Sequence, residues 1–454
     1  MNFYNMNKSI GLAKNIDIDD SEHRYLNTNI FTVSDNIQDI YTNFLMPNIK
    51  RKLGSYVILD FKGEFYNLSK SLCESAGYQV EYFTLNDSFN VFENVNGDDE
   101  IQALTNTILK NCSIIQKYLY EGHTEVDLLY SHTDLILNLI LIYLCEKAPV
   151  EKRTFSYIKK ILQKLNQSDF EYFKKIFGKV NSSYKINRSL FHLNYMKENE
   201  YKESLSVIIK ALSNATDTMC TKSTIFEHVE SLYTNRKLKI IFIEPTNNQV
   251  IDSFFCSYME NNCYTADVTH KALPIFYVYS PLEAVGYISN LDTIITDYSR
   301  KNDVHILNFN DISTTIKVYG KAIRNIMKDI GYGLIFQTNN EKNLKYMPKL
   351  LSDGSVADMM EQILVNQAYL VLYRNRVKTS VEQKLTEDEE IEEENISEDI
   401  ESSSDAASAA IQKMMDSIET KEDLIKQLKK DIDSEADSIK RQHFINLYNN
   451  FANE

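Results

Sequence analysis

Tryptophan is absent from this 454-residue chain, and glycine (12) and proline (6) are scarce. So few turn formers exclude collagen-like and linker-like chains and argue against a turn-rich all-β fold. Cysteine is sparse as well. Cys73, Cys112, Cys145, Cys220, Cys256 and Cys263 include no C-x-x-C pair, and none has a histidine at metal-ligand spacing. They read as buried thiols in a reducing compartment. His123, His132, His192, His228, His270 and His305 lie in different elements without HExxH-like spacing, so no metal is expected. No G-x-S-x-G pattern is present. The start of the sequence, MNFYNMNKSIGLAKN, lacks the apolar core of a secretory signal. The longest apolar run, DLILNLILIYLC at 134–145, is short for a bilayer span and is interrupted by Asp134 and Asn138. A cytoplasmic protein is expected.

What is there is ordinary for a globular chain: 43% hydrophobic and 25% charged residues, with Tyr (29) and Phe (22) as the aromatic load. At roughly 100–200 residues per domain the length allows two to four domains. The net charge of −15 is unevenly placed. Residues 380–454 hold 21 acidic and 8 basic residues; residues 1–379 hold 43 and 41. The acidity belongs to the tail, and the near-neutral body announces no nucleic-acid binder while leaving room for a local basic patch.

The patterning changes three times along the chain. Residues 29–33 (NIFTV), 55–60 (SYVILD) and 78–85 (YQVEYFTL) read as strands, with helices over 36–52 and 65–76 between them. Strand–helix–strand order indicates a parallel α/β sheet. From 98 to about 235 the strand alternation stops, and helical periodicity runs through 100–119, 126–147, 154–177 and 201–212. Strands then return at 238–244, 274–279, 303–309 and 332–337, with helices over 248–262, 287–301 and 313–330. An all-helical module, 98–236, therefore interrupts one α/β domain made of 25–97 and 237–378, after an N-terminal extension of residues 1–24. The remainder, 379–454, begins with the acidic run EDEEIEEENISEDIE at 387–401, which reads as a solvated linker or a dock for a basic partner. Residues 411–432 have the spacing of a short amphipathic helix, which packs on the body or binds a partner helix.

Three segments carry a likeness: GSYVILDFKGEFYNLSKSLCESAGYQVEYFTLND at 54–87, ALPIFYVYSPLEAVGYISNLDTI at 272–294 and GLIFQTNNEKNLKYMPKLL at 333–351. Together they resemble the TraG-type coupling proteins of bacterial conjugation and type IV secretion, over roughly residues 25–350. The resemblance implies a RecA-like P-loop NTPase-type sheet interrupted by an all-helical inserted domain. The family carries D-P-K-G-E after its second strand. Here Asp60, Lys62, Gly63 and Glu64 stand in that turn, with Phe61 in place of the proline.

The resemblance also says where nucleotide chemistry belongs. A phosphate-binding loop, G-x-x-x-x-G-K-[ST], wraps phosphates in backbone N–H groups, neutralises them with lysine and holds Mg²⁺ with its hydroxyl. The register set by Met46-Pro47-Asn48 and Gly54-Ser55-Tyr56-Val57 places that loop at residues 34–41. Ser34 and Asp39 stand at the glycine positions, Ile40 at the lysine and Tyr41 at the Ser/Thr. Asp35 and Asp39 add negative charge; two unit charges about 4 Å apart repel by roughly 4 kcal/mol at an effective dielectric of about 20. The family's Asp-Glu pair, which orients metal and activates water, aligns with Ser280 and Pro281, with Glu283 displaced by two residues. A glutamine-bearing segment before a later helix appears as Asn310-Asp311-Ile312-Ser313-Thr314, without the glutamines.

The expectation is a pseudo-ATPase with no catalytic residue and with ATP and Mg²⁺ binding lost. It would serve as a protein-interaction or cargo-recruitment component of conjugative transfer. Its partners would be the transfer apparatus, a relaxase or a catalytic TraG-like paralogue, with the helical insert as contact surface. The family's anchor is N-terminal and membrane-spanning; about 25 residues precede the first strand here, so recruitment to the inner membrane face would come from partners. Two alternatives stay open: an active DNA-transfer ATPase with divergent motifs, and an unrelated α/β scaffold lacking a helical insert. Asp60, Lys62, Gly63 and Glu64 form either a small ligand-binding turn or an inherited one. Lys50-Arg51-Lys52 beside Lys62 and Lys70 forms either a DNA patch or a solvated helix end.

Overall fold

All six residues of 55–60, SYVILD, are buried. A strand buried on both faces belongs inside a parallel sheet covered by helices, and the computed structural model has that architecture. It describes residues 10–13, 16–17, 28–95, 97–116, 124–177, 193, 195–220, 222–234, 237–262, 273–296, 303–336, 338–351, 370–373 and 376–377. The chain divides into two units, Met1–Thr386 and Glu387–Glu454. The second unit, with the acidic run and the 411–432 segment, lies outside the described residues.

Strands β1 (Gly11–Ala13) and β2 (Ile16–Asp17) form a small antiparallel hairpin. The main sheet comprises β3 (Ile30–Val33), β4 (Ser55–Asp60), β5 (Gln79–Thr84), β6 (Lys239–Glu244), β7 (Ile275–Ser280), β8 (Asp303–Phe309), β9 (Tyr332–Ile335), β10 (Leu370–Tyr373) and β11 (Arg376–Val377). Its order is β11-β10-β9-β3-β8-β7-β4-β6-β5. Pairing is parallel from β9 through β5, and β10 and β11 add antiparallel at one edge.

The main helices begin with α1, an α–π–α run over Ile37–Ile40, Tyr41–Leu45 and Met46–Lys50. They continue as α2 (Glu64–Ser75), α3 (Asp98–Lys110), α4 (Thr124–Lys147), α5 (Phe155–Asn166), α6 (Phe170–Phe177), α7 (Glu198–Ala211) and α8 (Ile225–Thr234). After β6 come α9 (Gln249–Asn262), α10 (Leu291–Thr296), α11 (Ile312–Tyr319), α12 (Ala322–Asp329) and α13 (Glu341–Leu351). Among the described residues, every element between β5 and β6 is helical, an arrangement the unrelated-scaffold alternative does not contain.

Alternation along the strands divides the core. Ile30, Tyr56, Ile58, Ile240, Phe242, Phe276, Val278 and Ile306 face α1 and α2. Phe31, Val33, Val57, Leu59, Ile241, Ile243, Tyr277, Tyr279 and Leu307 face the other side, where one apolar core runs on into Leu104, Ile140, Ile158, Leu205 and Val229 of the helical segment. Each such side chain contributes roughly 1.5–3 kcal/mol of burial, so the helical segment and that sheet face stabilise each other. The apolar run at 134–145 sits in α4, which is longer than the run alone. Leu128–Lys147 has the length and composition of a membrane span, but half of it is buried in the fold. Asp134 and Asn138 are held there by Gln102 Nε2 at 2.9 Å and Gln102 Oε1 at 3.2 Å.

Two expectations are corrected. The helix read over 313–330 is two helices, because Gly320 takes φ +56° and ends α11. The sheet does not end at 332–337: LVLY at 370–373 supplies β10, a run of four that is too short to show a period.

Gly333 pairs with Phe31 across β9 and β3, and a Cβ there would lie 2.2 Å from the Phe31 ring. Gly333→Ala should therefore destabilise by about 1–3 kcal/mol. Urea unfolding checks this, and an unchanged midpoint would contradict the register.

Candidate functional site

Ligands of open parallel sheets bind at the C-terminal strand ends, and the segments singled out in the sequence meet at that edge. β3 passes into α1 through only Ser34, Asp35 and Asn36. The Ser34 hydroxyl donates to the Asn36 carbonyl (2.8 Å) and accepts from Asn36 N–H (3.1 Å). Asn36 Oδ1 caps α1 by accepting from Gln38 N–H at 3.1 Å. Ser34 N–H donates to Phe309 O at 3.2 Å, and Asp39 N–H to Asn36 O at 3.1 Å. The N–H groups of Ser34, Asn36, Gln38 and Asp39 are thus all used within the protein.

Asp35 turns to the opposite loop. Its carboxylate accepts from Asn339 N–H (2.5 Å), Asn340 N–H (3.1 Å), Asn343 Nδ2 (3.3 Å) and the Thr338 hydroxyl. An acid placed ahead of the first turn of α13 is favoured by the helix dipole. Sequence reasoning treats Asp35 only as repulsive charge; its partners are some 300 residues away, and no local pattern reveals them.

Ile40 and Tyr41 are buried at 0% and 1% exposure. Here α1 widens into a π turn over Tyr41–Leu45, a one-residue insertion that rotates the residues after it; Ile40, Tyr41, Phe44 and Leu45 all lie inside. The Tyr41 ring stacks on Phe65 with centroids 4.0 Å apart. Burial raises its phenol well above the usual range, Asp60 adds to this, and a hydrogen bond with the Ser280 side chain works the other way. The positions aligned with the loop hydroxyl and the metal-orienting acid therefore meet. Ser280 also accepts from Asn308 Nδ2 at 3.0 Å, and Thr32 Oγ1 donates to Asn308 Oδ1 at 3.1 Å. Pro281, joined to Ser280 by a cis peptide bond, leads into the turn Leu282–Val285. Asn308 and Thr32 were not singled out in the sequence, being polar residues inside otherwise apolar strands.

The Asp60 turn does not gather into one ligand site. Asp60 is fully buried and accepts from Phe65 N–H (3.1 Å) and Tyr66 N–H (2.7 Å), fixing the start of α2. Burial pushes its carboxyl up to about 6 against those two bonds, with Glu64 and Glu244 adding to the rise. Lys62 sits at φ +69° with its ammonium in solvent, 3.9 Å from Glu64. Gly63 is also left-handed, at φ +65°, and packs under Tyr82, whose hydroxyl donates to Glu244. The basic grouping is split as well. Lys50, Arg51 and Lys52 precede β4, and Lys62 follows it, so six residues of strand, roughly 20 Å, lie between.

Glu283 ties two loops together. Its Oε1 accepts from Asn310 N–H (2.9 Å) and Asp311 N–H (2.8 Å), while its Oε2 is buried without a partner among the described residues. Burial raises this carboxyl to about 7, against those hydrogen bonds. Asp311 caps α11 through Ser313 N–H at 2.9 Å and Thr314 N–H at 3.3 Å. Burial opposes its ionisation, but hydrogen bonds from the Ser313 and Thr314 hydroxyls and from Thr314 N–H, with Lys342 nearby, hold it below the usual carboxylate value. Among the described residues no group of three or more His, Cys, Asp or Glu side chains is placed to hold a metal ion.

This edge and sheet order define an α/β fold of the P-loop NTPase type. The sequence matches no protein-family model and no curated protein. Among solved structures it is similar to the bacterial conjugative coupling protein TrwB in its sulphate complex. That likeness has 10% identity, covers 84% of this chain and 90% of that one, and has a TM-score of 0.53. TrwB with the GTP analogue GDPNP overlaps at 11% identity, 84% and 90% coverage and a TM-score of 0.49. VirB4 of Thermoanaerobacter pseudethanolicus overlaps at 12%, 80% and 90%, and 0.43. The fold assignment rests on the first of these.

A carboxyl raised on folding favours the folded state below its unfolded value and loses that advantage as pH climbs through the folded one. For Glu283 the window runs from 4.5 to about 7. Glu283→Gln should therefore gain stability relative to wild type as pH rises across that window. Parallel melting curves check this, and a constant difference would contradict it.

Proposed function

We propose that this chain is a TraG-like pseudo-ATPase acting as a nucleotide-independent interaction component of conjugative DNA transfer or type IV secretion. The fold shared with a conjugative coupling protein supports the setting. The observation that carries the rest is the position of residues 34–41. A triphosphate needs free loop N–H groups, a lysine and a metal-holding hydroxyl. Here the N–H groups of Ser34, Asn36, Gln38 and Asp39 are already bonded, Ile40 fills the lysine position from inside the core, and Asp35 brings a carboxylate. Tyr41, at the hydroxyl position, is buried against Phe65, and Ser280, at the acid position, accepts from Asn308 Nδ2. These residues do not fit Mg-ATP.

On this reading the fold is kept as a rigid carrier of contact surfaces. The helical segment 98–236 is the favoured one, offered to transfer-apparatus proteins, a relaxase or a catalytic paralogue. The protein works in the cytoplasm and reaches the membrane through those partners.

A ligand at 100 times its dissociation constant adds about 2.7 kcal/mol to stability, enough to move a melting midpoint by several degrees. Millimolar Mg-ATP should leave the melting midpoint unchanged and yield no hydrolysis above background. In donor cells lacking the chain, transfer should fall and be restored by the wild type. An Mg-ATP shift that altering residues 34–41 abolishes would overturn the pseudo-ATPase reading, and unaffected transfer would overturn the setting.

A further inference from the structure

Two neighbouring helices repeat one basic spacing. Lys321, Arg324 and Lys328 lie along α12 and its N-cap; Lys342, Lys345 and Lys349 lie along α13. Separations of i, i+3 and i+7 place each triplet in one narrow stripe. All six are exposed. Ile323, Ile326 and Met327 of α12, and Met347 and Leu351 of α13, are buried in the same core. The helices pack against each other, so both stripes face outward from one side of the sheet. Residues 311–351 hold seven basic and three acidic residues, while the rest of residues 1–379 hold 34 and 40. The ridges are therefore a positive field on a slightly negative body. Among the described residues, few internal partners engage them. Lys342 lies 3.4 Å from Asp311, and Lys345 and Lys349 lie 5.5 and 5.9 Å from the Tyr346 ring.

We propose that these paired ridges dock an acidic segment of a partner protein, one carrying carboxylates at helical spacing. The side chains select among polyanions. Five of the six cations are lysines, point charges that pair with carboxylates one at a time rather than through a bidentate fork. Tyr346, the aromatic residue between Lys345 and Lys349, is partly buried, and stacking of bases needs open rings. Insertion into a lipid surface needs exposed apolar side chains. Among the described residues the large exposed ones are Leu68, Leu72, Leu128, Tyr157, Tyr195 and Met219, none on these helices. Multiple lysine–carboxylate pairs are each weak and screened by salt, so the contact is multivalent and reversible. The inference is independent of nucleotide binding, and its failure leaves the reading of residues 34–41 untouched.

The test uses the full chain and a fluorescent, helix-forming glutamate-rich peptide, followed by anisotropy at low salt. Binding should be saturable and should weaken steadily as salt rises. Lys321→Glu with Arg324→Glu and Lys328→Glu, or Lys342→Glu with Lys345→Glu and Lys349→Glu, should weaken it by roughly tenfold or more. The melting midpoint of either variant should stay near wild type. A charge-matched control, Lys70→Glu with Lys197→Glu and Lys202→Glu, should bind almost as wild type. Absence of binding, or equal loss in the control, would overturn the proposal. So would tighter ridge-dependent binding of a single-stranded oligonucleotide or of anionic phosphatidylserine vesicles, or ridge-dependent self-association.

Discussion

Tyr41 lies flat against Phe65 and is buried, and the form of the sheet's C-terminal edge depends on that burial. A residue at this place can face a ligand or face the core. Here it faces the core, and Ile40, Phe44 and Leu45 of the same helix are buried with it. Once the helix is seated this way, the loop before it is only three residues long. Its hydrogen bonds close on Ser34, Asn36 and Phe309 rather than on a guest.

The surrounding loops are consistent with that closure. Asp35 reaches the segment ahead of α13, Glu283 reaches the segment ahead of α11, and Asp60 fixes the start of α2. Each carboxylate satisfies backbone N–H groups at a strand end, where a bound anion would otherwise do so. Burial raises Asp60 and Glu283, while hydrogen bonds and Lys342 hold Asp311 down. An edge held by its own acids is a poor place for phosphate and a rigid base for surfaces elsewhere. The helical segment shares one core with a sheet face, so its outer surface is presented on a firm support.

Much of the sheet was legible because its strands are unbroken apolar runs set off by Gly54, Gly77 and Pro274, and because 98–235 has helical period and almost no turn formers. The short pieces were not legible. LVLY at 370–373 carries no periodicity, and Gly320 breaks what reads as one helix. The candidate positions were found through the register of the likeness, which brought residues 34–41 and 280–281 to one edge. What they do there depends on bonds such as Asp35 to Asn339 and Asn308 to Ser280, made between segments far apart in sequence. Lys62 and Gly63 beside Asp60 read as either a ligand-binding turn or an inherited one; the left-handed backbone there, with the Lys62 ammonium in solvent, is not visible in the sequence.

Amide hydrogen exchange over residues 34–41 and 338–343, with and without saturating Mg-ATP, tests the closed edge most directly. The N–H groups of Ser34, Asn36, Gln38, Asp39, Asn339 and Asn340 are bonded within the protein. Closure predicts that their protection is already present in the free chain and is unchanged by nucleotide. Slow exchange that appears only with Mg-ATP would mean that these groups are free to hold phosphate, and would contradict the account.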